Sequence, residues 1–298
     1  MIRVSVIIPT FGKPIFLEKA INSVLSQTLL DWELIIVDDN NPEDEARYLT
    51  KELVGTYHDS RIKYIVHDRN RNGAVARNTG IEAAKGNFVS FLDSDDEYAP
   101  ERLERCCNVL DGASLNIAGV YTGCEFRRHS RKYHAEKTVP SGNFLVETLA
   151  CRFMFCTGSN IFVRKSVVDE LKGFDPTFLR HQDYEFLVRV FERYSLIGIP
   201  EILVIKNNEN FNLPNVDKQI KIKNQYLEKY KDLISSLSEK EQSYIYFWKN
   251  VTIAEGAMAQ NRFKLANHYY NEAQNYGLLS CKTWFRRLVY PIYNLVHK

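Results

Sequence analysis

The 298-residue chain has no apolar run approaching the ~18–20 residues that cross a bilayer, which excludes a membrane-spanning helix. It also has no C-x-x-C pair. Its six cysteines, Cys106, Cys107, Cys124, Cys151, Cys156 and Cys281, are scattered, so neither a zinc site nor a disulfide framework is expected and the thiols read as reduced. Net charge is only +2, too little for a global attraction to nucleic acid. Both G-x-G-x-x-G and G-x-x-x-x-G-K-[ST] are missing, which disfavours a nicotinamide Rossmann domain and a P-loop. No leader precedes the first strand-like run, so a cytoplasmic protein is expected.

What is present is concentrated in NFVSFLDSDD, residues 87–96. Phe88 to Leu92 reads as a buried strand that delivers Asp93, Asp95 and Asp96 at its carboxyl end, where open α/β sheets bind ligands. Carboxylates at such spacing suit Mg²⁺ or Mn²⁺, with substrate phosphates completing the shell. An EF-hand loop begins similarly, but Tyr98 stands where that loop requires glycine. A merely solvated turn is the bland alternative, so the motif needs support from the rest of the chain.

The first hundred residues supply it by alternating strand and helix signals. Strands are expected at 4–8, 34–37, 62–66 and 88–92, and helices at 15–27, 43–54 and 73–84. Such alternation implies a mostly parallel, Rossmann-like sheet with flanking helices. Further strands are expected at 117–122 and 160–163, and a helix at 184–193. The polar stretch NNENFNLPN reads as a linker, and 216–277 as helical. A boundary near 210 separates an α/β domain, read as two halves (1–98 and 99–209), from a helical extension (210–298).

Three further clusters fall where that sheet would place a site. Asp38 and Asp39 end the second strand, on the same edge as Asp93, and can accept hydrogen bonds from a base or ribose. Helix capping is the plainer role for them. NGAVARNTG, 72–80, turns into a helix whose amide end, with Asn72, Gly73 and Arg77, can meet an anion. His181-Gln182-Asp183 opens a later helix, where Asp183 serves either as a cap or as a general base.

In order and separation, SVIIPTF (5–11), WELIIVDD (32–39), NGAVARNTG (72–80) and FLDSDD (91–96), followed by KGFD (172–175) and QDYE (182–185), resemble an inverting family 2 glycosyltransferase of the GT-A fold. The resemblance covers roughly 2–205 and implies that 1–98 is the nucleotide-sugar-binding half and 99–209 the acceptor-binding half of the GT-A domain. It implies a nucleobase site, usually for uracil, at Pro9, Phe11 and Asp39, and a nucleotide-sugar contact at Arg77. It implies a D-x-D pair at Asp93 and Asp95, with Ser94 between them, Asp95 as the direct Mn²⁺ or Mg²⁺ ligand, and Asp183 as catalytic base. The donor would be a UDP-sugar, and the acceptor a saccharide, in many relatives lipid-linked, in surface-polysaccharide assembly. Two departures stand out: Gln182 replaces the usual Glu of the acidic pair, and Ile205-Lys206 replaces a Tyr-Arg pair that often contacts phosphate. With no Q-x-x-R-W motif, one sugar per encounter is expected. A nucleotidyltransferase would need a glycine-rich, arginine-bearing loop after the first strand, and IPTFGKP lacks one.

The end of the chain is read differently. Ala266, Tyr270 and Ala273 loosely resemble the second helix of a tetratricopeptide unit, but one unit cannot bury its own face, so a plain helical extension is expected. Residues 284–298 carry Trp284, Phe285, Leu288 and Ile292 with Arg286, Arg287 and Lys298 and no acid. That composition suits a peripheral contact with an anionic membrane surface; a homodimer interface or the core are the other readings.

Overall fold

The computed structural model describes residues 1–128, 130–207, 215–280 and 283. The membrane-facing segment expected at 284–298 lies outside the described residues, as does most of the expected linker. The chain forms two compact units, Met1–Asn143 with Met154–Asn210, and Phe144–Phe153 with Phe211–Lys298.

The first unit begins β1 (Val4–Thr10), α1 (Leu17–Leu25), β2 (Trp32–Asp38), α2 (Glu45–Gly55), β3 (Ile62–Val66), α3 (Gly73–Ala83) and β4 (Phe88–Phe91). After an acidic turn come β5 (Glu97–Tyr98), α4 (Arg102–Asp111), β6 (Ile117–Arg128) and β7 (Arg131–Glu136). The short α5 (Leu145–Leu149) belongs to the second unit. The chain then adds β8 (Phe162–Arg164), α6 (Lys165–Glu170), α7 (Gln182–Phe191) and β9 (Ser195–Asn207). These strands form one sheet in the order β3-β2-β1-β4-β8-β6-β9-β5, with β7 paired to β6.

β3, β2, β1 and β4 run parallel. Their near-continuous apolar sequences follow from helices covering both faces: β2 is buried throughout, and Val4, Val6, Ile7 and Ile8 of β1 are fully buried. Beyond β4 the sheet is mixed, with β8 antiparallel to β4 and β6, and β9 parallel to β6. The architecture is the expected α/β one, a sheet parallel in its first half with flanking helices.

The strand order places the site. From β1 the chain steps outward to β2 and β3, then returns to β4 on the other side of β1. Connections therefore diverge at the carboxyl ends of β1 and β4, opening a crevice between them. Gly80 lets α3 close on this crevice: a Cβ there would come within 2.4 Å of Ile7 Cγ2, so only glycine permits that approach to β1.

The second unit is helical, with α8 (Val216–Lys229), α9 (Lys231–Ser236), α10 (Glu239–Ala259) and α11 (Phe263–Gln274). α10 packs against α8 and α11 around Val251, Ala254, Ala257, Ala266, Tyr270 and Ala273. A capping box, Ser238 with Glu241, starts α10.

Candidate active site

Four segments meet at the crevice. Pro9, Thr10 and Phe11 leave β1, Asp39 follows β2, Asn72, Gly73 and Arg77 open α3, and Asp93, Ser94 and Asp95 follow β4. Together they line a cleft of about 500 Å³. Phe11 is 63% exposed at its rim, an apolar ring facing solvent where a flat heteroaromatic base can stack.

Asp39 is almost fully buried yet borders the cleft. Its Oδ1 lies 2.7 Å from His67 Nδ1 and accepts from the Arg71 amide at 2.8 Å; Oδ2 accepts from Asn70 Nδ2 at 3.0 Å. These contacts fix the carboxylate and leave acceptor capacity on Oδ2. Asp38, grouped with it on sequence as a nucleotide-sugar contact, is corrected: it is fully buried and does not line the cleft. Its Oδ1 accepts from both the amide and side-chain nitrogens of Asn40, and its Oδ2 from Tyr64. Asn40 Oδ1 in turn accepts from the Gly12 amide at 2.7 Å, so Asp38 acts on the cleft only by bracing that turn.

Asn72 caps α3, its Oδ1 accepting from the amides of Ala74 and Val75. Its φ of 79° is a left-handed conformation that a non-glycine residue rarely adopts, and the cap holds it there. That geometry aims the amide end of α3 at the cleft, as the sequence led one to expect.

The three aspartates after β4 form a tight group. Their carboxylate oxygens lie within 4.8 Å of one another. Asp96 is fully buried and receives Ser159 Oγ at 2.6 Å, Thr157 Oγ1 at 3.1 Å and Lys206 Nζ at 3.3 Å. Three carboxylates against so few cations leave excess negative charge. Burial, with Asp93 and Asp95 alongside, pushes the Asp96 carboxyl up to about 7 despite Lys206. Burial also raises Asp95, against Lys206. Burial works the same way on Asp93, but Arg77 and Lys206 outweigh it and hold that carboxyl below its ordinary value. Burial alone would lower Lys206, yet the three acids raise it, so the lysine stays charged. All-oxygen donors with no imidazole or thiolate fit a hard divalent ion such as Mn²⁺ or Mg²⁺.

Arg77 joins this group to the start of α7. Its Nη2 donates to Asp93 Oδ1 at 2.6 Å and its Nη1 to Gln182 Oε1 at 2.9 Å. Asp183, the next residue, does not line the cleft. It reaches the same neighbourhood around Gly158: a Cβ there would sit 3.9 Å from Asp183 Oδ2 and 4.0 Å from Arg77 Nη2. Burial raises the Asp183 carboxyl above its ordinary value, with Asp93 adding and Arg77 opposing. A carboxylate raised in this way holds a proton more tightly than a free one does.

The groups not singled out on sequence are Ser159, Thr157, Asn70 and Lys206 in this bonding role. Only Lys206 had a signal, as the replacement for an expected basic pair; the others are ordinary polar residues brought in by tertiary packing.

With that geometry in view, the comparisons decide the family. Residues 5–172 match the sequence family described as Glycosyl transferase family 2. The chain belongs to this family. An uncharacterised glycosyltransferase of Methanocaldococcus jannaschii is 28% identical over 83% of this chain and 84% of its own. The Escherichia coli UDP-Glc:alpha-D-GlcNAc-diphosphoundecaprenol beta-1,3-glucosyltransferase WfgD is 39% identical, over 41% of this chain and 46% of its own. Two solved structures share the glycosyltransferase fold. Residues 1–349 of Staphylococcus aureus TarS with UDP-GlcNAc give a TM-score of 0.57 at 16% identity, covering 99% of this chain and 92% of that one. The mannosyltransferase PcManGT of Pyrobaculum calidifontis with GDP-Man and Mn²⁺ gives 0.59 at 17%, covering 99% and 86%. The metal-capable cluster and the cleft of this glycosyltransferase thus sit on the fold those enzymes share.

Proposed function

We propose that this glycosyltransferase moves one sugar from a nucleotide diphosphate sugar, a UDP-sugar, to a hydroxyl of a saccharide acceptor, inverting the anomeric configuration. The observation that carries this is the Arg77 bridge, which ties the acidic cluster of a nucleotide-sized cleft to the helix start bearing Asp183. Phe11 and Pro9 stack the base, and Asp39 Oδ2 accepts from its imide N–H. Asn72 and Gly73, at the amide end of α3, face the anionic part of the donor with Arg77 and Ser94. Asp95 and Asp93 hold Mn²⁺ or Mg²⁺, which when bound neutralises charge developing on the departing diphosphate. Lys206 and Arg77 add fixed positive charge beside it.

Asp183 takes the proton of the acceptor hydroxyl. The freed oxygen bonds to the anomeric carbon from the face opposite the diphosphate, whose bond to that carbon breaks with its electron pair leaving on the nucleoside diphosphate. One displacement inverts the centre.

A lipid-linked acceptor in surface-polysaccharide assembly fits best, since WfgD is named for a diphosphoundecaprenol acceptor. No described helix is long and apolar enough to cross a membrane. Action in the cytoplasm, peripheral at the inner face of the membrane, belongs to the same proposal.

The test is nucleoside diphosphate release from a panel of UDP- and GDP-sugars with Mn²⁺, in the wild type and in Asp95→Ala. UDP release abolished by the substitution supports the reading. Release unaffected by it, or turnover only with other nucleotides, rejects the metal role or the base preference respectively.

A further inference from the structure

Two successive rungs of the β6–β7 hairpin set cation against cation. The strand register pairs Arg127 with Lys132 and Arg128 with Arg131. Like charges directly opposite one another destabilise a ladder. Glu125 offsets the first rung, lying 2.8 Å from Arg127 and 3.0 Å from Lys132. At the second rung both arginines are exposed, and among the described residues neither pairs with a carboxylate. Lys137, just past β7, is exposed as well.

A sheet edge explains only part of this charge. Among the described residues β7 pairs only with β6, and cations on such an edge deter pairing with another chain. An acid opposite each cation would protect the edge as well and would stabilise the rung. The hairpin instead keeps excess positive charge at its tip, against its own stability. Tyr133 joins that tip. The register steps from Phe126–His134 to Arg127–Lys132, so Tyr133 is the extra residue of a bulge, and it is 59% exposed. A tyrosine among cations suits a boundary that is wet on one side and apolar on the other.

The hairpin also grows out of the acidic site. Phe126 lies opposite Lys206 of β9, and Arg127 opposite Asn207. Lys206 donates to Asp96, and the Asn207 side chain to the Asp95 carbonyl at 2.9 Å. The unpaired rung follows directly along β6.

We propose that the β6–β7 hairpin docks this protein on the anionic surface of a phospholipid bilayer, through Arg128, Arg131, Lys132 and Lys137, with Tyr133 in the headgroup layer. Neighbouring rungs point to opposite faces of a ribbon, so cations flank the tip on both sides and the tip meets the surface. Several basic residues gathered in this way are what an anionic leaflet attracts. The inference rests on the lipid-linked acceptor proposed above and names the surface that brings the acidic cluster to it.

The experiment floats the full chain with vesicles of phosphatidylcholine alone and of equal parts phosphatidylcholine and phosphatidylglycerol, at low and high salt. UDP–Mg²⁺ affinity and thermal melting are measured alongside. Wild type should bind the anionic vesicles, release them as salt rises, and ignore the neutral ones. R128S/R131S should weaken that binding by roughly 25-fold, about fivefold for each charge. It should leave UDP affinity unchanged and melt no lower than wild type, because it removes a like-charge rung. Y133S/K137S, away from that rung, should weaken binding about tenfold and decides the matter if the first variant does not fold. Equal binding to neutral vesicles, or binding that survives both pairs of substitutions, overturns the proposal. Equal affinity for a DNA duplex shows an unselective contact with polyanions and overturns the bilayer as partner. Vesicle binding is read without turnover, so its failure leaves the transferase reading standing, and failure of nucleotide release leaves vesicle binding standing.

Discussion

Arg77 holds Asp93 and Gln182 at the same time, one nitrogen of its guanidinium on each, at 2.6 and 2.9 Å. A lysine at this position could satisfy only one of them well, since the planar fork is what spans both. The carboxylate at one end belongs to the acidic cluster and the amide at the other to the helix that carries Asp183. Removing the bridge therefore acts on donor binding first. Arg77→Ala should lower UDP affinity by roughly 10–100-fold, the scale of ~1.5–3 kcal/mol for hydrogen bonds to charged groups. Isothermal titration checks it, and unchanged affinity would show that Arg77 is only structural.

The neutral amide at Gln182 has its own consequence. Gln182→Glu would put a second acid beside Asp183, whose carboxyl burial already raises. Added negative charge disfavours the ionised base still further. Because the base must be unprotonated to act, activity is lost as pH falls through its pKa, and the variant's acid limb should move to higher pH. A kcat–pH profile reads this directly; a limb that stays in place means that residue 182 and the base do not interact.

The acidic cluster predicts how stability and metal depend on pH. Folded Asp96 keeps its proton up to about 7, against an ordinary 3.8. Between those values the folded state binds more protons than the unfolded, so this group's contribution to stability falls as pH rises. A divalent ion favours the ionised carboxylates and reverses the loss. Mg²⁺ should therefore raise Tm more at about pH 8 than at about pH 5.5. Equal shifts at both, or none, would count against metal binding here.

Much of this site was legible because it rests on local pattern. Parallel strands buried on both faces announce themselves as apolar runs, and the loops at their ends must carry the chemistry. That is why Asp39, Arg77 and Asp95 could be placed on one sheet edge before any coordinates, whereas Pro9 was singled out only through the family resemblance. Asp38 could not be told from Asp39, since which of two adjacent acids turns inward depends on Tyr64 and Arg47, which only the fold brings to it. β7 was missed because its sequence RKYHAE is largely exposed and charged, with no apolar alternation to betray a strand. Residues 144–153 carry no motif, and only tertiary packing shows that they belong with the helical unit.

The most direct test of the account is the turnover of Asp183→Asn, measured beside its affinity for UDP and the anomeric configuration of the wild-type product. The account predicts a fall in kcat of ~10²–10⁴-fold, the usual worth of a general base, with UDP affinity retained and an inverted product. Near-normal turnover in that variant, or a product that keeps the donor's configuration, would contradict it.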